Sequence, residues 1–386
     1  MAEVASSELK AMDVPSFVLF GTDIVTFSVD LAIAYSILLA VSLTLNLEAG
    51  YSGVPNFGKA MFVAGGAAVA GSISGRLSGF ILGVDTSNYV NRAPLIINNL
   101  NSLLAANLFL SIEMLLLGLA LAAGVGAVLG FLASYPAIRL REDYLGMLLL
   151  ASAQFFQILL RGYPPLIGGV IGIEVPDFFG WANTGRGARD VVILGVVGLF
   201  TVLVYLYFER VARSPLGRTL RAVRDNEVAS RALGKDDVAI RKRVIVIASA
   251  ICGMAGALLT FYVQSVGPDT WSRQSWTFPF WVIIIIGGAA NNSGVALGAF
   301  TYAFILKAVD KAKFLFQGFL PFDVNWLEYL AFSSLLLLVL ALRPGGILPE
   351  KSSLTLQRET VATIIQTKAD NRAQKGDDSS TNADDS

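Results

Sequence analysis

"LFLSIEMLLLGLALAAGVGAVLGFLA", residues 108–133, decides the class of molecule. It holds one charge, Glu113, near its start. As a helix rising 1.5 Å per residue it extends about 39 Å, more than the ~30 Å of a hydrocarbon core. Similar runs lie near 24–47, 57–73, 144–160, 190–208, 244–264, 279–292, 294–309 and 327–342. Hydrophobic residues make up 54% of the chain and charged residues 15%, against about 25% charged in soluble domains. The expectation is an all-α, polytopic transmembrane helical bundle of nine spans, with ten still open. It would occupy 24–343, between an N-terminal segment (1–23) and a polar tail (344–386).

The second and seventh runs are short and rich in small residues. "MFVAGGAAVAGSISG" (61–75) lets neighbouring helices approach closely. Such segments also suit broken or re-entrant helices shielded by protein. The patch "VPSFVLFG" (14–21) is too short to span and is expected at the interface. Residues 351–386 hold no aromatic side chain, so the tail is read as disordered.

The formal net charge is zero, which gives no global basic field for nucleic acid. Cys252 is the single cysteine and there is no histidine. A disulfide within the chain and the usual Cys/His zinc sites are excluded. The start, "MAEVASSELKAMD", lacks a basic n-region, so the first span is read as the membrane signal.

Basic residues orient the chain. Residues 209–243 carry ten Lys/Arg against five Asp/Glu, which assigns that loop to the cytoplasm. Alternation then puts 134–143 and the tail on the same side. Residues 74–107, 161–189, 265–278 and 310–326 fall outside, as does the N-terminus if the spans number nine.

Within that loop runs "GRTLRAVRDNEVASRALGKD", residues 217–236. Leu216, Leu220 and Val223 recur at helical spacing, and Arg218, Arg221 and Arg224 fan over an adjoining arc. Ser214 suits an N-cap with Pro215 at the first helical position, and Gly234 suits a stop. Glu227 reaches Arg224 or Arg231 on the helix surface. Three uses are open: an ordinary cytoplasmic loop, a helix lying on anionic lipid, or a docking element for a cytoplasmic partner. The loop is longer than topology requires, which favours docking.

"SPLGRTLRAVRDNEVASRALG" (214–234) resembles the cytoplasmic loop of branched-chain amino acid permeases of ABC importers. "NLEAGYSGVPNFGKAMFVAGGA" (46–67), "LREDYLGMLLLASAQFFQILL" (140–160), "GGVIGIEVPDF" (168–178), "GGAANNSGVALGAF" (287–300) and "LALRPGGILPE" (340–350) resemble further parts of that family, in the same order. The likeness is closest to the second of the two permeases such importers pair. It implies a multi-pass subunit of the plasma membrane, not an enzyme. Its partners would be two ABC ATPase subunits, a second homologous permease, an extracytoplasmic solute-binding protein and the lipid bilayer. It implies no cofactor in this chain, ATP being held by the ATPases. It also implies that Gly217, Arg218, Leu220, Arg221, Ala222, Arg224, Glu227, Ala229, Ala232, Leu233 and Gly234 couple to the ATPase. Ser230, Lys235 and Lys59 depart from the family pattern, which often has Ala, an apolar residue and His there. The superfamily also carries sugars, nucleosides and urea or amides, so the substrate stays open. An ion-coupled secondary transporter is the reading from another class; it would need a clear inverted repeat and mid-membrane ionisable residues.

"GVPNFGKA" (53–60) nearly matches the phosphate-cradling G-x-x-x-x-G-K-[ST] loop. Ala60 supplies no hydroxyl for Mg²⁺, and a membrane segment precedes it, so the match is rejected. Gly50, Gly53 and Gly58 are read as turn and packing residues. Asp30, Glu113 and Lys307 are the ionisable residues read within spans; Asp30 is either paired or on a path. Gln154 and Gln157 share a helix face and serve as helix glue or line a cavity. "WTFPFW" (276–281) reads as an interfacial aromatic belt.

Overall fold

The computed structural model describes residues 18–19, 22–140, 142–182, 187–316 and 326–350, with 363 and 366. Most of the 14–21 patch and of the tail lies outside the described residues. Val18–Leu19 (β1) pairs antiparallel with Thr22–Asp23 (β2). Helix α1 follows over Ile24–Leu45 and loosens into a π-turn at Asn46–Tyr51. Next come α2 (Lys59–Ala68), a second π-turn at Val69–Ser74, and α3 (Gly75–Leu82). Helix α4 (Ala93–Ala106) leads into α5 (Leu108–Arg139), α6 (Glu142–Gly162) and the short α7 (Pro164–Ile167). Strand β3 (Ile173–Glu174) precedes α8 (Ala188–Arg213). The polar stretch forms α9 (Pro215–Asp225) and α10 (Glu227–Ala232) before α11 (Asp237–Val263). Strand β4 (Ser265–Val266), α12 (Arg273–Trp276), α13 (Phe278–Gly287), α14 (Asn292–Phe316) and α15 (Trp326–Leu342) complete the order.

All nine apolar runs are helical. Among the described residues, seven helices are long and apolar enough to cross a membrane: Ile24–Tyr51, Lys59–Leu82, Leu108–Pro136, Tyr144–Gly162, Ala188–Arg213, Asp237–Val263 and Asn292–Lys311. The other two fall short. Helix α15 has 17 residues and α13 only 10. The second run is longer than its sequence suggests, because the small-residue stretch relaxes into a π-turn instead of breaking. The seventh ends early at Gly288, whose φ of 108° stops the helix.

Two spans form the centre. In their most apolar windows Lys59–Leu82 is 83% buried and Asp237–Val263 72%, against 28% for Leu108–Pro136. Glycines permit this. A Cβ on Gly66 would strike the backbone of Gly253, and one on Gly256 would strike that of Val63. One on Gly126 would meet Ser249 in the same way. Helix α11 is therefore pressed against α2 on one side and α5 on the other, backbone to backbone, as small residues allow in lipid. Large apolar side chains such as Phe109, Leu132, Leu199 and Leu337 point outward, as expected of a surface solvated by acyl chains.

Contacts at the helix ends fix which termini share a side. Tyr262, at the end of α11, donates its hydroxyl to Asp30 in the second turn of α1 (2.9 Å). Asn292, at the start of α14, donates to Glu209 near the end of α8 (2.9 Å). The amides of Ile347 and Leu348 donate to Ile286 and Gly287 at the end of α13 (2.8 and 3.0 Å). The start of α1 thus lies opposite the α9–α10 loop, and the segment after α15 lies on the loop's side.

On the far side, β3 pairs with β4. Arg189 pairs with Asp177 (3.0 Å) and donates to the carbonyls of Phe261 and Tyr262 (3.3 and 3.2 Å). Asp30 is thereby a paired residue of this outer framework. Gln154 donates to Gln157, which donates to the Pro268 carbonyl (3.2 Å each), so this pair ties α6 to the segment after β4.

Candidate functional site

The chain turns abruptly after α8. Ser214 caps α9, its Oγ accepting from the Gly217 amide (3.4 Å), with Pro215 opening the helix. Asn226 caps α10 through the Ala229 amide (3.0 Å). Both helices therefore start at sequence-encoded caps, and Gly234 (φ 73°) closes the unit. Gly217 is buried where a Cβ would press on the Val211 carbonyl (2.6 Å).

Helix α9 buries Leu220 and Val223, at 0% and 1% exposure. Leu216 is 45% exposed, so it leaves the apolar stripe expected of it: at the first turn it faces away from the bundle. The three arginines also separate. Arg218 is exposed. Arg221 lies over the Tyr51 ring, 5.1 Å from its centroid. Arg224 reaches inward to the Gly50 carbonyl (2.6 Å). Glu227 pairs with Arg231 and with Arg241 (3.2 Å). Hydrogen bonds to Asp237 (2.8 and 2.9 Å) are the main cause that holds the Arg231 guanidinium above its usual range. Ala222, Ala229, Ala232 and Leu233 are exposed, and Val228 and Leu233 are 77% and 79% exposed.

The seat for α9 is the π-turn that ends the first span. Gly53 has φ 71°, and a Cβ there would come within 2.9 Å of Arg224 Cγ. A Cβ on Gly50 would crowd the Ala290 amide (2.7 Å). These two glycines admit the arginine and the 288–291 turn. Gly58 donates its amide to Asn56 Oδ1 (2.8 Å), which shapes the turn into α2.

Behind the seat lies a fully buried polar cluster. Lys59 pairs with Glu48 at 2.5 Å, both 0% exposed. Asn56 donates to Glu48 (3.1 Å), and Lys59 donates to Thr44 (2.9 Å), which contacts Cys252 of α11 (3.1 Å). Asn46 accepts from the Ala290 amide (2.8 Å) and donates to Asn292 (3.0 Å), which reaches Glu209. The end of α1 is thus wired to α2, α8, α9, α11 and α14. A charge inside apolar surroundings must be paired or it neutralises. Lys59 spends its charge on Glu48, which also removes it from any phosphate role.

Sequence reading did not find this cluster. Glu48 follows directly on an apolar run, where a loop reading is natural, and Lys59 sits in the near-miss phosphate motif. The available signal was an Asn, a Glu and a Lys within fifteen residues of strongly apolar sequence.

The fold and this seat define a multi-pass helical membrane protein whose polar loop is clamped to its first span. The family described as the branched-chain amino acid transport system, permease component, matches residues 27–341. The chain is 37% identical over 317 residues (82% of this chain, 91% of the relative) to a probable branched-chain amino acid transport permease protein LivM of Methanocaldococcus jannaschii. It is 30% identical over 253 residues (60% of this chain, 56% of the relative) to the high-affinity permease protein LivM of Salmonella typhimurium. A probable permease protein LivH of the same Methanocaldococcus matches at 25% over 240 residues (58% of this chain, 71% of the relative). No solved structure matches. The protein belongs to the branched-chain amino acid transport permease family.

Proposed function

We propose that this chain is the membrane-spanning permease of an ABC importer that moves branched-chain amino acids delivered by an extracytoplasmic binding protein. It would pair with a second, homologous permease, and two ATPase subunits would bind and hydrolyse ATP. The positive-inside asymmetry of 209–243 supports a cytoplasmic position for α9–α10 and for the tail in the plasma membrane.

The observation that carries the reading is the division of the α9–α10 unit into two faces. Leu220, Val223 and Arg224 hold it to the bundle, while Arg218, Ala222, Val228 and Leu233 stand outward. A partner that pushes on the outward face moves the end of the first span directly, through Arg224 and Gly50. A helix laid into a groove of a cytoplasmic protein uses such a face, and alternating access follows from rocking the attached spans.

Two variants separate docking from transmission. Val228→Asp with Leu233→Asp is expected to insert and fold normally but to lose co-purification of the ATPases. Arg224→Ala is expected to keep the ATPases and lose at least tenfold in ATP-driven leucine uptake by proteoliposomes. If the double aspartate variant still holds its ATPases and transports, the docking assignment is wrong.

A further inference from the structure

A cavity of about 250 Å³ opens among α1, α11, α12, α14 and α15. Its wall carries Lys307 of α14 and Glu328 in the first turn of α15. The rest is largely apolar, with Ile37, Leu38, Leu259 and Leu306. Lys307 is fifteen residues from the start of α14, about 22 Å along the helix, and Leu259 lies in the last turns of α11. The cavity therefore sits toward the side opposite α9–α10.

Charged side chains at this depth are costly unless something neutralises them. Among the described residues Lys307 makes no hydrogen bond or ion pair. A cation and an anion thus line one small chamber beside a wall of branched aliphatic side chains. Tyr302 stacks on Phe332, with ring centroids 3.8 Å apart, and stiffens one side. The volume is below the roughly 300–1,000 Å³ of pockets for drug-sized ligands, which suits a single small solute.

We propose that this cavity is a binding site for a zwitterionic α-amino acid with a branched apolar side chain. Lys307 receives the carboxylate, Glu328 receives the ammonium, and Ile37, Leu38, Leu259 and Leu306 cover the side chain. Charge-assisted contacts at both ends neutralise ligand and wall together. This rests on the import reading above and places a substrate station within the permease itself.

The test measures saturable binding of radiolabelled leucine to the purified full chain in detergent, alongside ATP-driven uptake by the complete transporter. Isoleucine and valine should displace the label. 4-Methylpentanoate, which lacks the ammonium, and 3-methylbutylamine, which lacks the carboxylate, should compete at least tenfold more weakly. Lys307→Gln and Glu328→Gln should each weaken binding tenfold or more, while Lys307→Arg and Glu328→Asp retain most of it. The analogue series uses the unaltered protein, so it stands even where a variant fails to fold. Transport that proceeds with binding indifferent to both analogues and both neutral variants overturns the cavity assignment and leaves the importer reading intact. Absence of any leucine uptake by the unaltered complex overturns the importer reading instead. Displacement by glycerophosphoethanolamine in preference to leucine marks a lipid-headgroup site and overturns the proposal.

Discussion

Removing the Lys59 charge while leaving Glu48 in place tests the buried cluster most directly. The two groups are 2.5 Å apart and neither touches solvent. With an effective dielectric of about 20, their gross attraction is roughly 7 kcal/mol. Most of that is offset by the cost of dehydrating two ions. Breaking the pair from one side is different, because the cost of the remaining charge persists while the attraction is gone. Lys59→Met also deprives Thr44 of a donor at 2.9 Å. The expected loss is about 3–5 kcal/mol. Glu48→Gln should cost a similar amount, since it strands Lys59. The double variant should lie well above the sum of the two, with a coupling energy on the order of 2–3 kcal/mol. The assay is reversible unfolding in mixed micelles of the four proteins in the cycle. Single variants that each lose less than about 1 kcal/mol, with additive effects, would refute the claim that these charges depend on each other.

Gly53→Ala should lose about 1–2 kcal/mol from the positive φ and the approach to Arg224, and leucine uptake should fall more steeply than stability; uptake at the original level would show that the seat tolerates displacement. Ala222→Cys and Glu174→Cys should label with membrane-impermeant maleimide from opposite sides of sealed vesicles, against a low background because Cys252 is buried. Labelling of both from one side would contradict the alternation of the spans.

Local sequence was enough for the elements whose cause is local. The apolar runs reappear as helices because length and composition alone make an unsatisfied backbone untenable in lipid. The caps at Ser214 and the stop at Gly234 stand where residue chemistry puts them. The close-packing reading of residues 61–75 holds, since Gly66 meets Gly253 with no room for a side chain. The boundary error at the second run has a local cause as well: small residues loosened the helix to a π-turn without ending it. Span number was less legible, because α13 and α15 are helical but short.

The partners of polar side chains belong to another level. Arg218, Arg221 and Arg224 look equivalent in the sequence, yet one faces out, one covers Tyr51 and one grips Gly50. Glu48 and Lys59 become an enclosed ion pair only because α11 closes over them with Cys252, some two hundred positions away. Asn46 likewise finds Asn292 across most of the chain. Hydrophobicity is a property of a segment and survives in one dimension. Whether a charge is solvated, paired or stranded depends on which distant surfaces meet it, and only the packed bundle decides that.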